Sequence, residues 1–260
     1  MPPGGLSWKG GCLSLPSFLQ NPLHFLDKHS IVNTRNRNDS YYCHNGGAGM
    51  DLKAFYKLTY GLYILSSEFE GKAAGCVVNT LTQVTAEPVK VAVAVSKDNF
   101  TTQIIAKSGR FAATSLLQEA SMDLIGRFGF RSSADEDKFA ATPHARDRAG
   151  IPYVTESAAA FVSCKVIDQL DLGTHILFIG EAEEAETLSQ DEVLTYTYYQ
   201  TVKKGGTPKN APSYKGEAAA QPAVTGWRCT VCGYILESET LPPDFVCPIC
   251  HQGADKFVKL

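Results

Sequence analysis

Four cysteines near the C-terminal end stand in two C-x-x-C hooks, Cys229-Thr-Val-Cys232 and Cys247-Pro-Ile-Cys250. Such a hook aims two thiolates at one ion while amides of its turn face the sulfurs, and two hooks complete a tetrahedral set of four sulfur ligands. Soft thiolates in that geometry suit zinc or iron, and the spacing alone admits both. Zinc would build a structural ribbon able to dock a partner. Iron would carry single electrons. Cysteines paired at one end read as metal ligands in a reducing compartment, which favours the cytoplasm over a secreted disulfide scaffold.

A second group of polar residues follows strand-like segments: Asn79, Thr80 and Gln83 after one, and Ser96, Lys97, Asn99 and Thr101 at a strand-to-helix turn. Hydroxyls, amides and a helix N-terminus beside a lysine are groups that hold a phosphate, and Ser or Asn before a helix also serves simply as its cap. No Gly-x-Gly-x-x-Gly follows a predicted strand, and the Gly46, Gly47, Gly49 cluster has the wrong order, which argues against a Rossmann domain. Cys76 and Cys164 stand alone and read as small buried hydrophobes.

These residues need elements to position them. Asp51–Leu58 is helix-like; segments 61–66 and 74–79 flank a turn at Glu70-Gly71-Lys72 and predict a hairpin. Val89, Val91, Val93 and Val95 alternate with smaller or polar residues at the period of a strand. The pattern further predicts a helix over 99–108, a strand over 110–117, a helix over 121–128 capped by Ser121, and long strands over 159–168 and 174–184. Many strands and few helices predict a mainly β fold, a barrel or sandwich. Residues 1–49, rich in Pro, Gly and Asn, read as a disordered leader or non-native extension, with Met50 as the natural start. Residues 203–225 are rich in breakers and poor in large apolar groups; they read as a linker on which a small module could swing.

A net charge of −3 supplies no basic footprint for nucleic acid. The longest apolar candidate, Ala158 to Leu177, is broken by Lys165, Asp168 and Asp171 and is not expected to span a membrane.

Trp227, Tyr234, Phe245, Phe257, Ile235, Ile249 and Pro242-Pro243 surround the cysteines with a larger apolar shell than a zinc ribbon needs. Trp-Arg-Cys-Thr-Val-Cys-Gly-Tyr, Leu-Pro-Pro-Asp-Phe-Val-Cys-Pro-Ile-Cys and Ala-Asp-Lys-Phe resemble rubredoxin over residues 226–260, with a shortened stretch between hooks. His251 stands where glycine is usual, which puts that turn in doubt. The resemblance implies one iron held by Cys229, Cys232, Cys247 and Cys250.

Gly75–Val84, Val93–Thr101, Phe128–Ser132 with Asp137-Lys-Phe139, and Asp171–Ile176 onward to Gly180-Glu181 resemble the flavin-reductase-like family over residues 50–202. That family implies an FMN-binding split β-barrel, usually completed as a homodimer. By resemblance, Asn79, Thr80 and Gln83 border the flavin ring. Ser96, Lys97, Asn99 and Thr101 hold the ribityl chain and phosphate, and Arg131, Ser132 and Lys138 share the pocket. His175 lies near the ring where nicotinamide approaches, or is a strand histidine with a satisfied ring. Ser133 replaces a common glycine. Tyr196, Tyr198 and Tyr199 are expected to pack against the barrel or a second subunit.

An FMN domain joined to a rubredoxin module resembles the high molecular weight rubredoxins. The resemblance implies electron transfer from NAD(P)H through FMN to Fe(Cys)4 and on to a flavodiiron protein that reduces oxygen or nitric oxide. Two other readings stay open: a flavin reductase serving a separate oxygenase, and a zinc ribbon on a barrel scaffold.

Overall fold

The computed structural model describes residues 52–208, 211–213 and 226–260. The leader, the start at Met50 and much of the linker lie outside the described residues. Leu52–Lys57 forms a 3-10 turn. The main elements follow as β1 (Tyr63–Phe69), β2 (Lys72–Val78), β3 (Thr82–Ala86), β4 (Val89–Ser96), α1 (Phe100–Ser108), β5 (Arg110–Leu116), α2 (Met122–Phe130), β6 (His144–Arg146), β7 (Pro152–Val154), β8 (Ala158–Asp171), β9 (His175–Thr187) and α3 (Tyr196–Thr201). A small sheet of β10 (Trp227–Cys229), β11 (Ile235–Leu236) and β12 (Phe257–Lys259) closes the chain.

Seven antiparallel strands run in the order β2-β1-β5-β8-β9-β4-β3. The β1–β2 hairpin turns at Glu70 and Gly71, both at positive φ (49° and 77°), the conformation that suits strand twist in a two-residue turn. Cys76 and Val78 of β2 share one buried cluster with Val91, Val93 and Val95 of β4, although three other strands and β1 lie between them in the sheet. The sheet therefore curls until its two ends meet, as in a barrel. Phe111, Cys164 and Phe178 fill the interior. The lone cysteines are thus core residues, as their isolation predicted.

Alternation places Leu65 of β1 inside this core and Ile64 on the opposite face. There Leu124, Ile125 and Phe128 of α2, Phe139, Leu194, Tyr196 and Tyr199 cover the sheet. Ser121 caps α2 by accepting from Leu124 N at 3.0 Å. Asn99 caps α1, accepting from Thr101 N at 3.0 Å. Ser133 fits its loop without glycine: its hydroxyl meets Gly75 N and O, each at 3.1 Å. Among the described residues, no helix is long and apolar enough to cross a membrane.

The small module, read from the sequence as able to swing on its linker, is seated against the barrel in this structure. Barrel and C-terminal module belong to one compact unit, Asp51–Leu260, and Met122 and Phe130 of α2 pack into the apolar cluster around the cysteines. The described start of the linker is fastened to α3 through Gly205 N to Tyr199 O and Tyr199 OH to Gly206 O, both 2.9 Å.

Candidate metal centre and cofactor cavity

β10 delivers Cys229 at its end, and the two hooks then repeat one geometry. Gly233 N donates to Cys229 O at 3.0 Å, and His251 N donates to Cys247 O at 2.9 Å. Gly233 and His251, each directly after the second cysteine of its hook, have φ of 79° and 56°. His251 thus adopts the left-handed conformation that glycine would take more easily, which settles the doubtful turn. Its ring repays the cost in part: His251 Nε2 lies 2.8 Å from Arg131 Nη2.

The four sulfurs lie within 4.8 Å of one another, and all four cysteines are buried. Cys229 and Cys250 sulfurs are 3.6 Å apart, Cys232 and Cys247 sulfurs 3.5 Å. A tetrahedron with metal–sulfur bonds of about 2.3 Å has edges of about 3.8 Å, so the donor set fits one ion. Amides of Val231 and Cys232 face the Cys229 sulfur, that of Tyr234 faces Cys232, and that of Gln252 faces Cys250, stabilising thiolate charge. Ile249, Phe257, Trp227, Tyr234, Leu241 and Phe245 complete an apolar shell.

The second site is a cavity of about 120 Å³ where the ends of β2, β4 and β9 converge. Asn79, Thr80, Ser96, Asn99 and His175 all line it. Thr80 Oγ1 donates to Ala94 O at 2.8 Å, tying the two sheet ends together. His175 pairs in register with Ser96, and its Nδ1 lies 2.9 Å from Thr174 Oγ1. Among the described residues, His175 Nε2 is buried without a hydrogen-bond partner. An orphaned polar atom in a half-apolar cavity is what a bound polar ring would satisfy, so the residues fit a flavin. A more open hollow of about 680 Å³ shares Ala94, Ser96 and His175 with the cavity and adds Lys97, Leu172 and Thr174, giving room for a longer ligand. Lys97 Nζ lies 2.6 Å from Asp171 Oδ2 and holds that carboxyl below its usual pKa.

Five of the predicted residues line neither the cavity nor the hollow within this chain. Gln83 is exposed on the edge strand β3, donating to Thr85 O at 3.1 Å. Thr101 is buried in the first turn of α1 beside Cys76. Arg131 turns toward His251 and lies 3.7 Å from Asp123 and 3.6 Å from Glu136. Ser132 Oγ accepts from Ala134 N at 3.1 Å. Lys138 is buried, donating to Gly75 O at 2.9 Å and Phe128 O at 3.4 Å, and burial lowers its pKa to about 8.

Sequence reasoning missed the opposite wall. Ile125, Gly129 and Phe130 of α2, Tyr196 and Tyr199 of α3, and segments 206–208 and 211–213 complete the lining. The tyrosines do pack against the barrel as expected, but they face the cavity too. Asn79 Nδ2 donates to Ser213 Oγ at 2.7 Å. The i,i+3 spacing of Tyr196 and Tyr199 was the available signal.

A curled antiparallel sheet with a half-apolar cavity at the junction of its ends, joined to a four-sulfur centre, defines a flavin and iron oxidoreductase. The chain belongs to the flavin reductase like domain family, which matches residues 55–206, and a rubrerythrin, rubredoxin-like domain matches residues 227–258. It is similar to the high molecular weight rubredoxin of Moorella thermoacetica, 35% identical over 81% of this chain and 100% of the relative. It is also similar to a ferric-chelate reductase (NAD(P)H) of Archaeoglobus fulgidus, 46% identical over 64% of this chain and 98% of the relative. Among solved structures, an FMN-binding protein from Thermus thermophilus shares the fold, with a TM-score of 0.50 and 23% identity over 56% of this chain and 80% of that one. The protein is accordingly an electron-transfer oxidoreductase combining a flavin-binding barrel with a rubredoxin-like iron domain.

Proposed function

We propose that the chain takes electrons from NAD(P)H through FMN to iron held by Cys229, Cys232, Cys247 and Cys250, and passes them to a separate acceptor. The observation that carries this is the cavity edged by the orphaned His175 Nε2, walled by the same helix that packs against the sulfur cluster. When bound, flavin accepts a hydride and thiolate-bound iron exchanges single electrons. Asn79, Thr80, Ser96 and Asn99 would hold the flavin, with Lys97 toward the phosphate end. His175 would present Nε2 to the cofactor or to the nicotinamide. The amide-lined hooks would hold thiolate charge.

The Archaeoglobus relative supports this assignment, since it is named as a ferric-chelate reductase (NAD(P)H) and aligns over 165 residues, a length close to that of the flavin domain. In this chain the ferric acceptor would be built in. Exposed Val231 and Val246, beside the ligands of both hooks, leave an apolar outer surface for an acceptor such as a flavodiiron oxygen or nitric oxide reductase. Exposed Ile167, Leu170 and Leu172 at the far end of β8 favour a homodimer, in which the exposed Gln83 and Ser132 would serve the second copy's cavity. The reducing cytoplasm suits free thiolate ligands.

An absorption spectrum of the purified protein, followed by anaerobic NADH and NADPH in turn, tests the reading. Iron–thiolate and flavin bands should both bleach, released flavin should chromatograph as FMN, and native mass should be that of a dimer. Zinc in place of iron, or iron bands untouched by either nucleotide, would defeat it.

A further inference from the structure

Met122, Gly126 and Phe130 of α2 stand at i, i+4 and i+8 and share one side of the helix. Met122 and Phe130 pack against the cluster of the four ligand cysteines, Ile249 and Phe257. Gly126 sits between them at the point of closest approach: a Cβ there would come within 2.4 Å of Ile249 O and 2.8 Å of Ile249 Cγ2. Ile249 precedes the ligand Cys250. The adjacent stripe of α2, Ile125 and Gly129, lines the cavity. Phe130 belongs to both sides, lining the cavity and touching the cysteine cluster.

The linker makes a second close approach. Gly206 lines the cavity, and a Cβ there would fall 1.8 Å from Cys232 O and 3.1 Å from Gly233 Cα. Neither Gly126 nor Gly206 has a positive φ, so what each supplies is missing volume rather than backbone freedom. Gly126 weakens the helix it sits in, a cost that close packing accounts for. Arg131, one residue past α2, reaches His251 of the second hook and fastens the same edge.

We infer that α2 and Gly206 dock the iron module on the wall of its own chain's flavin cavity, so that electrons cross within one subunit beside Phe130 and the Gly206–Cys232 backbone contact. This rests on the flavin-to-iron reading proposed above. The electron count balances with one iron per chain: each NAD(P)H oxidised to NAD(P)+ releases one proton and supplies two electrons, which pass the iron singly, the separate acceptor reoxidising ferrous to ferric before the second crosses.

Gly126→Ala in the full chain, loaded with flavin and iron, is the test. Alanine strengthens the helix but forces Ile249 away, and Gly126 does not line the cavity. Amide hydrogen exchange, followed by mass spectrometry without any reductant, should rise by roughly tenfold in peptides covering 122–130 and 247–252. In anaerobic stopped flow with NADH or NADPH, flavin bleaching should keep its wild-type rate, while iron bleaching slows by roughly tenfold or more. Met122→Asp, which places a carboxylate against the apolar cluster yet suits a first helical turn, should give the same pair of changes if Gly126→Ala fails to fold. Wild-type exchange together with wild-type iron bleaching in the variants overturns the inference. Should neither nucleotide bleach iron in the wild-type chain, the proposed function falls, and the exchange measurement still decides the docking.

Discussion

Lys138 is 3% exposed, with its ammonium bonded to two backbone carbonyls and 5.5 Å from the Phe128 ring centroid. Burial lowers its pKa from 10.5 to about 8. Between those values the unfolded chain keeps the proton that the fold has shed, so unfolding takes up a proton and stability gains with rising pH. The gain is on the order of 3 kcal/mol across the window, and Lys138→Met should abolish it. Cys76 and Cys164, with thiols pushed by burial up to about 11 and about 12, run the other way above about pH 9, but do so in both proteins. Urea melts of the two flavin-free proteins between pH 8 and 10 check the difference. His175→Leu removes the unpartnered Nε2 and should weaken flavin binding by roughly tenfold, measured by fluorescence titration. Residue types announced these candidates, yet not their surroundings: Arg131 and Lys138 carry the right charge for an anion, but one is engaged by His251 and the other is closed in beneath Phe128.

At the scale of elements, Gly180 shows how tightly β9 is packed. A Cβ there would lie 2.7 Å from Phe111 Cζ and 2.8 Å from Cys164 Cβ, so Gly180→Ala should destabilise by about 1–3 kcal/mol in a denaturant melt without changing the metal centre. The valine alternation of β4 was legible because its two faces differ, and α1 and α2 were legible from their caps. β3 was not, because Thr82–Ala86 is exposed throughout and its sequence carries no contrast between faces. The double role of α2 was hidden for another reason. Period alone shows that Leu124, Ile125 and Phe128 face a core, but the partner of Met122, Gly126 and Phe130 lies more than 100 residues away and has no trace in the local pattern.

For the whole molecule, the metal module has a core made largely of its own ligands, four of the six buried residues in its cluster being cysteines. A domain so built depends on its metal to fold. Cys232→Ser should therefore lose iron and module structure together while flavin stays bound, and the uncovered Met122 and Phe130 should raise binding of a hydrophobic dye. The four-ligand centre was legible in full from two hooks, whereas its seat on the barrel was not. The segment from Gly205 to Thr207 is pinned to α3, and Gly226, about 20 residues later, opens the module. A covalent tie of that length sets a local concentration in the millimolar range whatever the amount of protein present. Dilution should thus leave the internal electron transfer first-order and undiminished, so a cell holding few copies would lose nothing in its rate.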